Sequence, residues 1–291
     1  MNPITRTTSV AAIAMISAFT LIPASDAAVL FEEEFDYTLN APLPVSPSSG
    51  DVWGSVGSGT TTVVPQTLTP YASGGLSVTS TGGQITNVNR RILHDFSESD
   101  LLTTAEREAG GKLYISFVAT MENSSTDGGV GGIKFGGSAN VRIESGVQWK
   151  QTTWGLSSPS GFQSSGVSTL NASLIIFEIA YVDATVANIN YYVNPTATVS
   201  EGTITLTSSP SATLSNQTFG YLNQININAD YAGLVQQVDA IRIGTSLDDV
   251  LTAIPEANSS LWLGVAGLVC FVASRTSRSR RRSSEQKRAV V

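Results

Sequence analysis

The chain has 291 residues, 41% of them hydrophobic and only 13% charged, with a formal net charge of −7 at pH 7. That length holds one large domain with an ordinary core, or two small ones. Between residues 28 and 254 there are 20 acidic and 8 basic side chains, a net of −12 that repels nucleic acid and anionic membrane and favours solubility outside the cell or cation binding.

In chain order, the first element is the apolar stretch Val10–Ile22, preceded by Arg6 and closed by Pro23 and small residues. This is the pattern of a secretory signal peptide, shorter than the ~20 residues of a membrane span. Ser25 and Ala27 at the minus-three and minus-one positions put cleavage between Ala27 and Ala28, so residues 1–27 form the leader. The only cysteine, Cys270, lies near the far end, so the exported body has no disulfide and relies on its core.

The next elements alternate at period two, the mark of strands with one buried face. Lys112–Met121 puts Leu113, Ile115, Phe117, Ala119 and Met121 on one side; Asn188–Val193, Thr203–Thr207 and Gln224–Asn228 repeat the pattern. Leu174–Tyr181 is apolar on both faces except at Glu178, as expected of a central strand covered twice. Further strands are expected at Val29–Phe35, Leu76–Thr79, Arg90–Phe96, Val141–Glu144 and Val238–Ile243. Gly-Gly pairs at 74, 82, 110, 128, 131 and 136, Ser-Pro-Ser-Ser-Gly at 46–50 and Asn194-Pro195 read as turns between them. Helix signals are confined to an insertion at Glu98–Glu108 and a capping box of Thr245 with Asp248. The expected fold class is all-β, an antiparallel sandwich over residues 28–253.

Past Ile254 the pattern changes to Pro255, Glu256 and Ala257, then the apolar run Leu261–Ala273, then Arg275, Arg278, Arg280, Arg281 and Arg282. As a helix, Ser259–Ser274 would span about 24 Å, short of a ~30 Å hydrocarbon core. The arginines would hold its end in the cytoplasm, with 283–291 as a short tail there.

This terminus resembles the PEP-CTERM sorting signals of Gram-negative bacteria, in which a Pro-Glu-Pro motif, an apolar transmembrane helix and an Arg-rich end are cut by a membrane transpeptidase, exosortase. Ala257 stands where the second proline is usual. The signal would occupy 254–282. The body resembles concanavalin A-like (LamG-like) jelly-roll domains through Leu30-Phe31-Glu32 to Phe35-Asp36-Tyr37 with Trp53, through Tyr191-Tyr192-Val193-Asn194-Pro195-Thr196, and through Val238 to Thr245. The two resemblances together imply a protein of the Gram-negative cell surface or extracellular matrix. It would be held or released by an exosortase-type enzyme and would reach the membrane through its C-terminal helix before processing. A non-catalytic role in binding extracellular polysaccharide, or in adhesion, is expected. The alternatives are a glycoside hydrolase or lyase on the same scaffold and a purely structural matrix protein.

Candidate site residues are few. His94 is the only histidine, which excludes two-histidine metal sites, and it reads as structural. Glu32, Glu33, Glu34 and Asp36 form an acidic cluster, read as a solvated strand edge. Glucan-cleaving members of the jelly-roll superfamily carry Glu-x-Asp-x-x-Glu; Glu34 and Asp36 begin that pattern, but Leu39 ends it. No catalytic set is therefore expected. No cofactor is expected either, although Glu34, Asp36 and Asp239 are the carboxylates to examine for a structural calcium. Asp239 shares strand parity with Ile241 and Ile243, which predicts an inward carboxylate accepting backbone N–H bonds. Trp53, Trp149, Trp154, Tyr191 and Tyr192 are the aromatic residues to examine for sugar stacking, with Trp149, Trp154 and Tyr192 foremost.

Overall fold

A computed structural model describes residues 29–43, 53–56, 60–88, 90–123, 131–139, 142–147, 151–200, 202–229 and 234–253. The chain forms two antiparallel sheets. One has the strand order Ala212–Thr218, Val186–Val193, Ser173–Tyr181, Lys112–Asn123, Leu234–Gly244, Gln84–Val88 and Thr60–Val64, with Val29–Glu33 as an eighth strand on Leu234–Gly244. The other has seven strands, ordered Gly161–Ser168, Thr153–Ser158, Arg142–Val147, Gly131–Gly137, Leu222–Asn228, Arg91–Asp95 and Gly54–Val56.

Alternation explains why the sheets face each other. Ile115, Phe117, Ile175 and Phe177 of the first sheet share one core with Ile133, Phe135 and Ile143 of the second. The Phe135 ring stands 4.8 Å from Phe177 and 6.3 Å from Phe117. Burying such a side chain contributes about 1.5–3 kcal/mol. The hydroxyls of Ser145 and Tyr191, 2.9 Å apart, bond across the gap, so this buried polar pair is satisfied by the opposite sheet. At one rim the two sheets are tied by an amide. Gln163 Nε2 donates to the Thr213 carbonyl at 3.2 Å, and Thr213 N–H donates to Gln163 Oε1 at 3.4 Å.

The outer face of the eight-stranded sheet carries a second apolar layer. Leu174, Ile176, Val118 and Tyr192 pack there beneath Leu68, Leu76, Val78, Ile204, Val250 and Leu251. Leu76 and Val78 come from the small sheet of Tyr71–Ser73, Leu76–Val78 and Thr252–Ala253, Ile204 from the hairpin Ala197–Ser200 and Thr203–Leu206, Val250 from the helix Leu247–Val250 with Leu251 just after it, and Leu68 from the segment that leads to Tyr71–Ser73. Ser173–Tyr181 is thus covered on both faces, as its composition predicts. Asn194 ends the next strand in left-handed backbone, φ 49°, and its side chain accepts from Leu174 N–H and Tyr71 O–H.

Several expectations are corrected. Glu98–Glu108 is not one helix: a 3-10 turn at Glu98–Asp100 is separated from the helix Thr104–Glu108, which is capped afresh by Thr103 and Glu106. The C-terminal capping box is formed by Ser246 and Asp249, one residue beyond Thr245 and Asp248. The Gly-Gly pairs at 131 and 136 lie inside the strand Gly131–Gly137 rather than in turns. Among the described residues no helix is long and apolar enough to cross a membrane. The leader with Ala27 and Ala28, the sorting motif Pro255, Glu256 and Ala257, the apolar run that follows it, and Trp149 lie outside the described residues.

The acidic cluster is also not a uniformly solvated edge. Glu33 turns inward, where it accepts from Trp53 Nε1 at 2.8 Å, Phe35 N–H at 2.6 Å and Tyr37 O–H at 3.1 Å. Burial pushes its carboxyl above the usual 4.5, with those three donors opposing. The Phe35 donor belongs to a residue at φ 53°, a conformation that a bulky side chain rarely adopts without such a tether. Glu33→Ala would leave the Trp53 and Phe35 N–H groups buried without an acceptor, a loss of about 2–4 kcal/mol. Urea unfolding monitored by tryptophan fluorescence should show a lower midpoint with little change in slope, and an unshifted midpoint would remove Glu33 from this role.

Candidate functional site

Strand parity assigns the outward residues of the seven-stranded sheet. Ile92, Ile133, Phe135, Ile143, Leu156, Ile225 and Ile227 lie in the core, so their immediate neighbours point away from it. Cross-strand pairing then lines up Phe162, Ser157, Glu144, Lys134, Asn226, Leu93 and Gly54 in one transverse row over all seven strands. At ~4.8 Å per strand the row is about 29 Å long. Neither apolar cluster includes any of these residues.

The row has a polar middle and apolar ends. Lys134 Nζ lies 3.7 Å from Glu144 Oε2, a loose ion pair, and both side chains are largely sheltered. Asn226 is 7% exposed, and its Oδ1 has no hydrogen-bond partner among the described residues, so a buried acceptor stands unsatisfied in the middle of the face. Gln224 and Asp95, paired one step along, are joined by a 2.7 Å bond from Gln224 Nε2.

Beside this row runs a second, in which Gly155, Gly146 and Gly132 are paired in succession and present no side chain. A Cβ on Gly132 would stand 2.0 Å from the Ser145 carbonyl oxygen, and one on Gly146 would stand 1.9 Å from that of Gly131. The strands approach too closely there for any other residue. A Cβ on Gly155 would meet Phe162 Cζ at 2.2 Å, so the half-exposed Phe162 ring lies over that glycine. The outcome is a shallow trough with an aromatic plane at one end and amide, carboxylate and ammonium groups along its wall. Such a surface offers a face for C–H stacking and fixed partners for hydroxyl groups.

The residues expected to stack on a ligand fare otherwise. Trp154 is 0% exposed in the main core, because Trp154 and Leu156 share the inward parity of their strand. Tyr192 is buried in the outer apolar layer, and Tyr191 is buried between the sheets. Trp53 is enclosed beside Phe35, its ring centroid 6.1 Å away. Phe162 lies in a Gly- and Ser-rich stretch with no alternation strong enough to mark a strand, and its pairing alone reveals its position.

The other candidates are occupied structurally. His94 faces inward and stacks on Phe31 at 4.8 Å, with Phe96 edge-on at 4.5 Å. Glu34 is bound by Arg242, 3.0 Å away, and by Thr81; burial raises its carboxyl, but these donors outweigh it and hold it below the usual value. Arg242 also binds Glu32 at 2.6 Å. Glu178 receives Lys112 at 2.6 Å, Asn190 at 3.0 Å and Tyr114 at 3.3 Å, which commits both its oxygens. Among the described residues no three His, Cys, Asp or Glu side chains gather as metal ligands, and Glu34, Asp36 and Asp239 do not converge. On the opposite sheet, Thr120, Glu122, Gln237, Leu170 and Val235 border a depression of about 210 Å³ that has no aromatic wall and no cation.

Asp239 departs most sharply from expectation. A β-bulge between Asp239 and Arg242, with Ala240 at φ 52°, inserts one residue and reverses the parity. Val238 and Ile241 therefore both face the core, whereas Asp239 points outward, accepting from Thr69 O–H at 2.7 Å. It remains 0% exposed under the outer layer, its Oδ1 unbonded among the described residues.

No protein-family model matches the sequence, and no curated protein matches it. Among solved structures it is similar to domain 4 of a GH43 extracellular arabinanase from Geobacillus stearothermophilus, in complex with arabinotriose (TM-score 0.39, 12% identity, 76% of this chain and 93% of that one). It is also similar to an endo-β-1,4-glucuronan lyase from the fungus Trichoderma reesei (TM-score 0.37, 11% identity, 77% and 98%) and to a carbohydrate esterase from the Shiga toxin-encoding bacteriophage phi24B (TM-score 0.39, 9% identity, 76% and 99%). At such scores the sandwich rests on its own strand pairing.

Burial raises the Asp239 carboxyl above its usual 3.8, with the donors Thr69, Ser80 and Gln66 opposing. A raised value means that the folded state holds this proton more tightly than the unfolded one. The contribution is complete below the unfolded value and is lost as pH rises through the folded one. Between about pH 4 and about pH 7 the urea midpoint should therefore rise more, or fall less, in Asp239→Asn than in the natural chain. An equal difference in the two proteins would mean that Asp239 titrates normally.

Proposed function

We propose that the chain is an exported, non-catalytic polysaccharide-binding protein of the Gram-negative cell surface, its body a concanavalin A-like jelly roll. One observation carries the binding reading. An aromatic plane and a row of polar side chains share an outward sheet face that no apolar layer covers among the described residues, and a buried Asn226 acceptor there has no partner among them. Hydrogen-bonding groups beside an aromatic plane suit sugar rings, which present hydroxyls at their edges and C–H groups on their faces. Both oxygens of Glu178 and of Glu33 are engaged by donors, which supports binding rather than hydrolysis.

The export reading rests on the sequence at both ends. A leader cut between Ala27 and Ala28 and a tail read at Pro255, Glu256 and Ala257 would carry the body across the membrane, pause it on the Leu261–Ala273 segment and pass it to an exosortase-type enzyme.

Two measurements test these readings. Phe162→Ala should weaken binding to the polysaccharide that the chain prefers about tenfold, ~1.4 kcal/mol, without altering the thermal midpoint, while Phe162→Tyr should keep it. Failure to bind any polysaccharide on a broad panel would sink the reading. Mass spectrometry of the surface-extracted protein should find a C-terminus near Glu256, and an intact arginine tail would replace processing by permanent anchoring.

A further inference from the structure

The trough face carries an unusual share of the molecule's positive charge. Arg91, Lys134 and Arg142 are three of only eight basic residues between 28 and 254, and all three have outward parity on the seven-stranded sheet. Glu144 and Asp95 are the only acidic residues in outward positions of its strands, so the sheet face is net positive on a body of net charge −12. Glu144 is tied to Lys134, and Asp95 accepts from Gln224. Arg142 is exposed, pairs in register with Gly136 and has no acidic partner among the described residues. Its neighbours along that line are Gly136 and Gln224, and the acids nearest it on the face, Glu144 and Asp95, are engaged by Lys134 and Gln224.

Resting on the polysaccharide reading above, we propose that this face selects an anionic glycan, with Arg142 and Lys134 meeting the acid groups and Phe162 stacking on a ring. A guanidinium presents paired N–H groups that fit a carboxylate or sulfate in bidentate fashion. Lys134 lies in the row between Asn226 and Glu144, its ammonium loosely held 3.7 Å from that carboxylate, so a ligand acid group would compete with Glu144 for it. The acidic remainder of the molecule does not forbid this. At physiological ionic strength charges farther than ~8 Å are largely screened, so the local face governs contact.

The test compares full-length protein on polygalacturonate, a carboxylated chain, on dextran sulfate, and on neutral glucan and dextran. The expected result is at least tenfold tighter binding to an anionic polymer than to its neutral counterpart, weakening as salt is raised. Arg142→Gln should lose about fivefold on that polymer with no loss on neutral chains and no shift in thermal midpoint. Preference for polygalacturonate over dextran sulfate assigns the carboxylate, and the reverse assigns the sulfate. Equal, salt-insensitive binding to neutral and anionic polymers would overturn the anionic selection while leaving polysaccharide binding intact, whereas no binding to any polymer would overturn the underlying reading. Anionic binding unchanged in both Arg142→Gln and Lys134→Gln, or abolished by a chelator, would overturn the assignment to these cations.

Discussion

The register of the strand Leu234–Gly244 governs how the sandwich closes. Along one edge it pairs with Lys112–Asn123 for nearly its full length. Along the other it pairs first with Gln84–Val88 through Val235–Val238 and then, past the bulge, with Val29–Glu33 through Ile241–Gly244. The extra residue at Ala240 lets one strand serve two partners while Val238, Ile241 and Ile243 still face the core. Without it the second half would present Arg242 to the core, at a cost no neighbouring group could offset. The bulge also fixes where Arg242 meets Glu32 and Glu34, and it sets the start of the turn in which Glu33 holds Trp53 and Phe35.

That geometry divides the two sheets by role. The eight-stranded sheet is buried on its inner face and partly covered on its outer one, so it acts as the keel. Among the described residues the seven-stranded sheet has an apolar layer on one face only, and its other face is polar, glycine-rich and ended by aromatic or aliphatic groups.

Much of this was legible in the sequence where alternation is clean. Leu113 through Met121, Ile189 through Val193, and Ile225 with Ile227 place their inward faces as read, and Leu174–Tyr181 has the double cover that its composition implies. Three features were not legible. A bulge has no residue signature when its left-handed position is an alanine, so the parity of Asp239 came out reversed. Gly131–Gly137 reads as turns because glycine is common in both settings, and only the close approach to Arg142–Val147 shows why it is used in a strand. Gly161–Ser168 has too few apolar residues to alternate, so Phe162 was overlooked in favour of Trp154, whose size suits a core as well as a surface. The two ends differ in pattern, their apolar residues contiguous rather than alternating.

The amide of Gln163 has a consequence for how copies of this protein behave when crowded together. Thr213 lies on a rim strand, and its backbone donor and acceptor, which would otherwise invite a neighbouring molecule to extend the sheet, are both taken up from within the same chain. At this point of the rim the sheet's edge is closed by its own chain, so a second copy finds no free backbone pair at Thr213 to extend.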